Sequence, residues 1–309
     1  MIGTKRSNLV LVANEASTAL GEKIAAALNI PFGAVEKKRF VDGEIYHAFP
    51  ADISGKDVVI VGATHDDEAH QELLDLIDGS RYMNANTVNV VIPYLGYSTM
   101  EQSKPDIYEI PKGITRTRQI FRARPDFAAF IDLHSEAVLH AHCGDVQTKH
   151  ILTNNLVVAK IRESDLRDYV LVSPDYGRSK WVARLASQLN ASHTAADKDR
   201  YAMDKTMVGQ VASVVKGKTA VICDDMIRTG GSIIQTAARC LEAGARDAVL
   251  MATHLVMAGD ARRKMEDNGI RKIIGSDTFP GVSSDELLDV YSVAPLVVEV
   301  LAKQLRIDD

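Results

Sequence analysis

Residues 221–234 read VICDDMIRTGGSII, and two features of this stretch carry chemistry. Asp224 and Asp225 are adjacent carboxylates directly after the apolar run Ala220, Val221, Ile222, Cys223. Side by side they repel one another, so packing alone does not select them. Behind them Arg228, Thr229, Gly230, Gly231 and Ser232 supply a cation, two hydroxyls and backbone amides unobstructed by large side chains. A helical pattern follows, with Ile233, Ile234, Ala237, Ala238 and Leu241 on one face and Gly244 placed to cap its end. A glycine loop at a helix N-terminus is an anion cradle. Negative charge beside a bound phosphate is unfavourable unless a metal or sugar hydroxyls lie between, and a phosphorylated sugar meets both demands. Its phosphate would sit on residues 229–232 and its hydroxyls on the carboxylates, with Mg²⁺ reducing their repulsion.

Short apolar runs recur along the chain and must position this loop: LVLVA at 9–13, DVVIVGA at 57–63, TVNVVIPY at 87–94, FAAFIDLH at 127–134, YVLVSPD at 169–175, TAVICDD at 219–225 and AVLMATH at 248–254. Runs apolar on both faces fit parallel strands covered by helices, so the fold class is α/β. A strand, a helix and a second strand span Val58 to Val88 in the first half and Ala220 to Ala248 in the second, an internal repeat of which only the second copy holds the acidic pair and the glycine loop. Ligands of such sheets bind beyond the carboxyl ends of the strands, where Asp224 and Asp225 are expected. GKT at 217–219 is no Walker loop, because Ala212 stands where its first glycine belongs and the segment precedes a strand.

At 309 residues, 46% hydrophobic and 25% charged, the chain is long enough for two domains. A net charge of −5 without a basic stripe gives no nucleic-acid footprint. No apolar run reaches the ~20 residues a bilayer requires, so no membrane is expected. Cys143, Cys223 and Cys240 have no CxxC spacing and the start MIGTKRSNLVLVA has no long apolar segment, which fits a cytoplasmic protein. HAHCGD at 140–145 offers three metal donors too closely spaced for a structural zinc pattern.

VICDDMIRTGGSI resembles the phosphoribosyl pyrophosphate signature of type I phosphoribosyltransferase folds. RFVDGE at 39–44, IPYLGY at 92–97, IDLHSE at 131–136 and VSPDYG at 172–177 stand in the order seen in ribose-phosphate pyrophosphokinases. The resemblance implies two tandem phosphoribosyltransferase-like domains, 1–147 and 148–309, each a mostly parallel sheet flanked by helices. It implies Mg²⁺-dependent transfer of the β,γ-diphosphate of ATP to C1 of ribose 5-phosphate, with AMP as the other product. Phe40, Asp42 and Glu44 match adenine-binding positions at a site shared between subunits, which implies a homo-oligomer built on dimers, up to a hexamer. His134 and Asp175 match metal and phosphate contacts. Lys198 and Arg200, in DKDR at 197–200, match the loop cations that close over the transferring phosphates.

The chain departs from the family pattern at Thr99, Met100 and Asp199, where many members are basic or carry glutamine. Plant-type synthetases also lack the basic stretch after IPYLGY, and like this chain have a non-acidic residue at the position of Arg228. The departures motivate an alternative, a catalytically weak regulatory paralogue that assembles with an active synthetase. A transferase that consumes phosphoribosyl pyrophosphate would explain the acidic pair but leave FVDGE and the duplication unexplained.

Overall fold

A computed structural model describes residues 8–104, 106–140, 146–195 and 213–307. The chain forms two compact units, one of residues 1–152 with 278–281 and 292–309, the other of 153–277 with 282–291. The C-terminal segment therefore belongs to the first unit, whereas a linear division at 147/148 assigns it to the second.

In the first unit β1 (Leu9–Ala13), β2 (Phe32–Gly33), a hairpin of β3 (Glu36–Arg39) and β4 (Ile45–Ala48), β5 (Asp57–Val61), β6 (Thr87–Ile92), β7 (Phe127–Ile131) and β8 (Gln147–Ile151) follow in sequence. The sheet order is β2-β1-β5-β6-β7-β8, all pairs parallel. Every residue of β1, β5 and β7 is buried. Strands covered on both faces by crossover helices need no polar alternation, whereas the edge strand β8 alternates. The helices are α1 (Thr18–Leu28), α2 (Asp67–Tyr82), α3 (Lys112–Arg122) and the short α4 (Ala137–His140).

The second unit holds α5 (Asn154–Glu163), β9 (Tyr169–Ser173), α6 (Tyr176–Leu189), β10 (Ser192–Ala195), β11 (Thr219–Ile227), α7 (Gly231–Glu242), β12 (Asp247–Leu255), α8 (Ala261–Asp267), β13 (Ile270–Ser276) and β14 (Leu288–Tyr291). The last helix, α9 (Ala294–Leu305), lies in the first unit. The second sheet runs β10-β9-β11-β12-β13-β14, again all parallel. The two strand orders are the same, position for position, with β5 of the first unit corresponding to β11 of the second. The repeat visible as two strand–helix–strand spans thus extends over six strands of each sheet.

Two sequence expectations shift. The strand does not end before the acidic pair, because β11 stays paired with β12 as far as Ile227↔Leu255, while its pairing with β9 stops at Ile222↔Val172. Asp224 and Asp225 lie inside a strand extension that has outrun its neighbour. On α7 the buried positions are Ile233, Thr236, Ala237 and Cys240, not Ala238 or Leu241. Spacings of three and four from Ile233 keep Thr236 and Cys240 in line with it, while Ala238 falls on the exposed side.

Candidate functional site

In the second unit the cradle is built by a change of hand in the backbone. Gly230 takes φ 78° and ends the strand-to-helix turn as the N-cap of α7. That conformation is strained for a residue with a Cβ, and a Cβ here would lie 2.5 Å from the Met265 Cε. Gly231 is the first helical residue and faces open space, with no atom within 4 Å of where its Cβ would be. The first bond of the new helix is Ile234 N–H to Gly230 O at 2.8 Å. The amides of Gly231, Ser232 and Ile233 therefore precede the intrahelical ladder, and no side chain caps them. Thr229, Gly231 and Ser232 are exposed. The loop is anchored from behind, where Met257 N–H donates to Ile227 O and Ala258 N–H to Arg228 O, both at 2.9 Å. Gly244, φ 94°, donates to Leu241 O at 2.9 Å just past the helix end, in its expected capping role.

The corresponding turn of the first unit is built differently. After β5, Asp66 caps α2 by accepting from Ala69 N–H at 2.8 Å, and Asp67 and Glu68 occupy the first turn. Carboxylates already satisfy that helix N-terminus and repel an anion. Of these two matched turns, only the one in the second unit is open to a phosphate.

Beside the open cradle, Arg178 ties the acidic residues together. Its guanidinium lies 2.5 Å from Asp225 Oδ2 and 3.7 Å from Asp224 Oδ1. Its backbone N–H donates to Asp175 Oδ1 at 3.0 Å, the cap of α6. Asp225 is buried, and Asp225 N–H donates to Asp224 Oδ1 at 2.9 Å. Burial, with the Asp225 carboxylate alongside, pushes the Asp224 carboxyl well above the usual carboxylate range. The exposed Asp175 and the pair are hard oxygen donors. Such donors fit Mg²⁺, which takes one or two carboxylates and completes its shell with water and substrate oxygens. Among the described residues no group of three His, Cys, Asp or Glu could hold an ion by itself. Cys223 and Cys240 are buried, and burial pushes both thiols up, Cys240 to about 12, so neither offers a nucleophile.

The first unit holds the other candidates. Phe40, Asp42 and Glu44 form the turn of the β3–β4 hairpin, closed by Phe40 N–H to Glu44 O at 2.8 Å and by Gly43 at φ 96°. Phe40 is 50% exposed, its ring edge-on to Tyr46 at 6.3 Å, and Asp42 Oδ1 accepts from Glu44 N–H at 3.2 Å. The hairpin thus presents an aromatic face with acceptors beside it. His134 follows β7 in a bend that starts at Asp132, φ 37°. His150 holds this bend: its Nε2 accepts from Leu133 N–H at 2.9 Å and its Nδ1 meets Glu136 Oε1 at 2.6 Å. A backbone N–H can only donate, so Nε2 is bare and Nδ1 carries the proton given to Glu136. Just before Thr99 and Met100 in the chain, Tyr97 is met by two cations of α3. Lys112 Nζ stands 4.8 Å from the Tyr97 ring centroid and Arg116 5.8 Å, with Asp67 bonding both Tyr97 and Arg116.

Lys198, Arg200 and Asp199 lie outside the described residues, as do residues 141–145 of the HAHCGD cluster. Arg178 and His150 were missed in the sequence. The available signal for Arg178 was its place three residues after Asp175, the helix cap that follows a strand neighbouring the one carrying Asp224 and Asp225.

Comparison with known proteins bears on the whole chain. Residues 9–110 match the model of the N-terminal domain of ribose phosphate pyrophosphokinase, and residues 150–286 that of the phosphoribosyl transferase domain. The chain is 32% identical over 307 residues to a ribose-phosphate pyrophosphokinase of Gloeobacter violaceus, covering 97% of this chain and 91% of that one. It is 30% identical to the chloroplastic ribose-phosphate pyrophosphokinase 2 of Arabidopsis thaliana, with 97% and 76% covered. A phosphoribosylpyrophosphate synthetase from Mycobacterium smegmatis superposes with a TM-score of 0.84 at 27% identity, over 97% of this chain and 99% of that one. No helix among the described residues is long and apolar enough to cross a membrane.

Proposed function

Because the chain belongs to the ribose-phosphate pyrophosphokinase family and is a diphosphotransferase, we propose that it moves the β,γ-diphosphate of ATP to the C1 hydroxyl of ribose 5-phosphate, releasing AMP. The observation that carries this reading is the open cradle of Gly230 and Gly231 beside Asp224 and Asp225, against the carboxylate-capped turn at Asp66. The 5-phosphate takes the amides of Gly231, Ser232 and Ile233 and the hydroxyls of Thr229 and Ser232, with Arg228 at the rim. Asp224 and Asp225 accept from the ring hydroxyls, which turns C1 toward the donor.

Adenine packs on Phe40 with Asp42 and Glu44 as acceptors, in an assembly of like subunits. The displacement is in line at the β-phosphorus, so catalysis depends on positioning and on neutralising the migrating oxygens. Lys198 and Arg200 supply fixed positive charge there. His134 in the first unit and Asp175 in the second are each proposed as Mg²⁺ contacts, and the ion would supply positive charge to the diphosphate. AMP release from ATP should require ribose 5-phosphate and should be abolished in Asp224→Asn/Asp225→Asn. No product above an enzyme-free control, with co-purification of an active homologue, would favour the regulatory paralogue.

A further inference from the structure

Asp175 follows β9 while Asp224 and Asp225 lie on the extension of β11, yet one residue reaches all three. The Arg178 backbone bonds Asp175, and its guanidinium lies 2.5 Å from Asp225 and 3.7 Å from Asp224. Side-chain exposures are 20% for Arg178, 18% for Asp224 and 9% for Asp225, so the contact is largely withdrawn from water. Taking one partner away from such a pair strands the other charge, so an arriving ligand does not displace the guanidinium. Nor does it need to. A carboxylate accepts in several directions, so one guanidinium contact does not exhaust it.

We infer that Arg178 is a resident cation of the pentose site, neutralising the acidic pair in place of a divalent ion, so that ribose 5-phosphate binds there without Mg²⁺. This rests on the sugar-phosphate reading of the cradle. It assigns to an arginine the charge compensation that the sequence reading gave to Mg²⁺, and it leaves the ATP side of the reaction as the place where Mg²⁺ acts. Arginine suits the role because its charge does not titrate away and its fork can bond one carboxylate while facing another.

The test is calorimetric titration of the full-length protein with ribose 5-phosphate, in EDTA and in Mg²⁺. Wild-type affinity is expected to differ by less than about threefold between the two conditions. Arg178→Gln should lose on the order of tenfold or more in EDTA, the scale of one charge-assisted hydrogen bond, and regain most of it in Mg²⁺. Arg178→Lys should fall between. Equal losses in EDTA for wild type and Arg178→Gln would overturn the inference.

Should Arg178→Gln not fold, Arg178→Gln/Asp225→Asn removes one charge of each sign. It is expected to bind with wild-type indifference to Mg²⁺, and a strict Mg²⁺ requirement in that variant would count against the idea. Asp224→Asn/Asp225→Asn separates the two levels. If it leaves sugar-phosphate affinity intact, the site reading itself fails. If it weakens binding while Arg178→Gln responds to Mg²⁺ as wild type does, only the role of Arg178 fails.

Discussion

Asp224→Asn should stabilise the ligand-free protein while weakening its grip on ribose 5-phosphate. The amide keeps the size of the side chain and the acceptor for Asp225 N–H, but removes a charge that burial and Asp225 both disfavour. Two unit charges about 4 Å apart interact by about 4 kcal/mol at an effective dielectric near 20. Arg178, 3.7 Å from Asp224, returns much of that, leaving a net cost of about 1–2 kcal/mol. The carboxyl is raised in the folded protein, so the fold binds its proton more tightly than the unfolded chain does. Stability from this group is therefore complete below the ordinary aspartate value of about 4 and declines as pH rises above it. Scanning fluorimetry should find the variant melting about 2–6 °C higher than wild type at pH 8, with the gain shrinking toward zero near pH 4. Affinity for ribose 5-phosphate should fall by about 10- to 100-fold, as for loss of a hydrogen bond to a charged group. A variant that melts lower at pH 8, or a gain independent of pH, would refute the view that this carboxylate is held at a cost to stability.

The two loop glycines should separate folding from binding. Gly230→Ala should lower stability by about 1–2 kcal/mol, seen as a lower melting temperature, because a Cβ at φ 78° is strained and meets Met265. Gly231→Ala should leave melting within about 0.5 kcal/mol and still weaken ribose 5-phosphate binding about tenfold or more by filling the open face, as calorimetry would show. His150→Phe strands the Leu133 N–H, so amide exchange at Leu133 should accelerate by about 10-fold or more and kcat should fall, while His150→Gln, which keeps an acceptor at that reach, should restore both. Lys198→Ala should lower kcat at saturating ATP by about 10²–10³, the scale of one preorganised electrostatic contact, with the melting temperature unchanged.

The architecture was legible because strands such as FAAFI and LVLVA are apolar throughout and can only be buried on both faces. The cradle was legible for a related reason, since paired glycines and hydroxyls between a strand and a helix leave amides bare. What the linear chain concealed depends on adjacency. Arg178 is 46 and 47 positions from the carboxylates it meets, and only the pairing of β9 with β11 brings them together. His150 reads as one residue of an exposed-looking strand, QTKHI, and acquires a role only when β8 lies beside β7. Sequence distance also hides the contact of Lys112 and Arg116 with Tyr97, since they come from a helix that begins 15 residues later. FVDGE matches adenine-binding positions and lies at the turn of the β3–β4 hairpin, where Phe40 is half exposed.

Phosphorus NMR of ATP, ribose 5-phosphate and Mg²⁺ with the purified full-length protein tests the central claim most directly. AMP and a diphosphate attached at C1 of ribose 5-phosphate should grow in equal amounts, with neither formed when ribose 5-phosphate is omitted. Formation of ADP in place of AMP, or AMP accumulating at the same rate without the sugar phosphate, would contradict diphosphate transfer at this site.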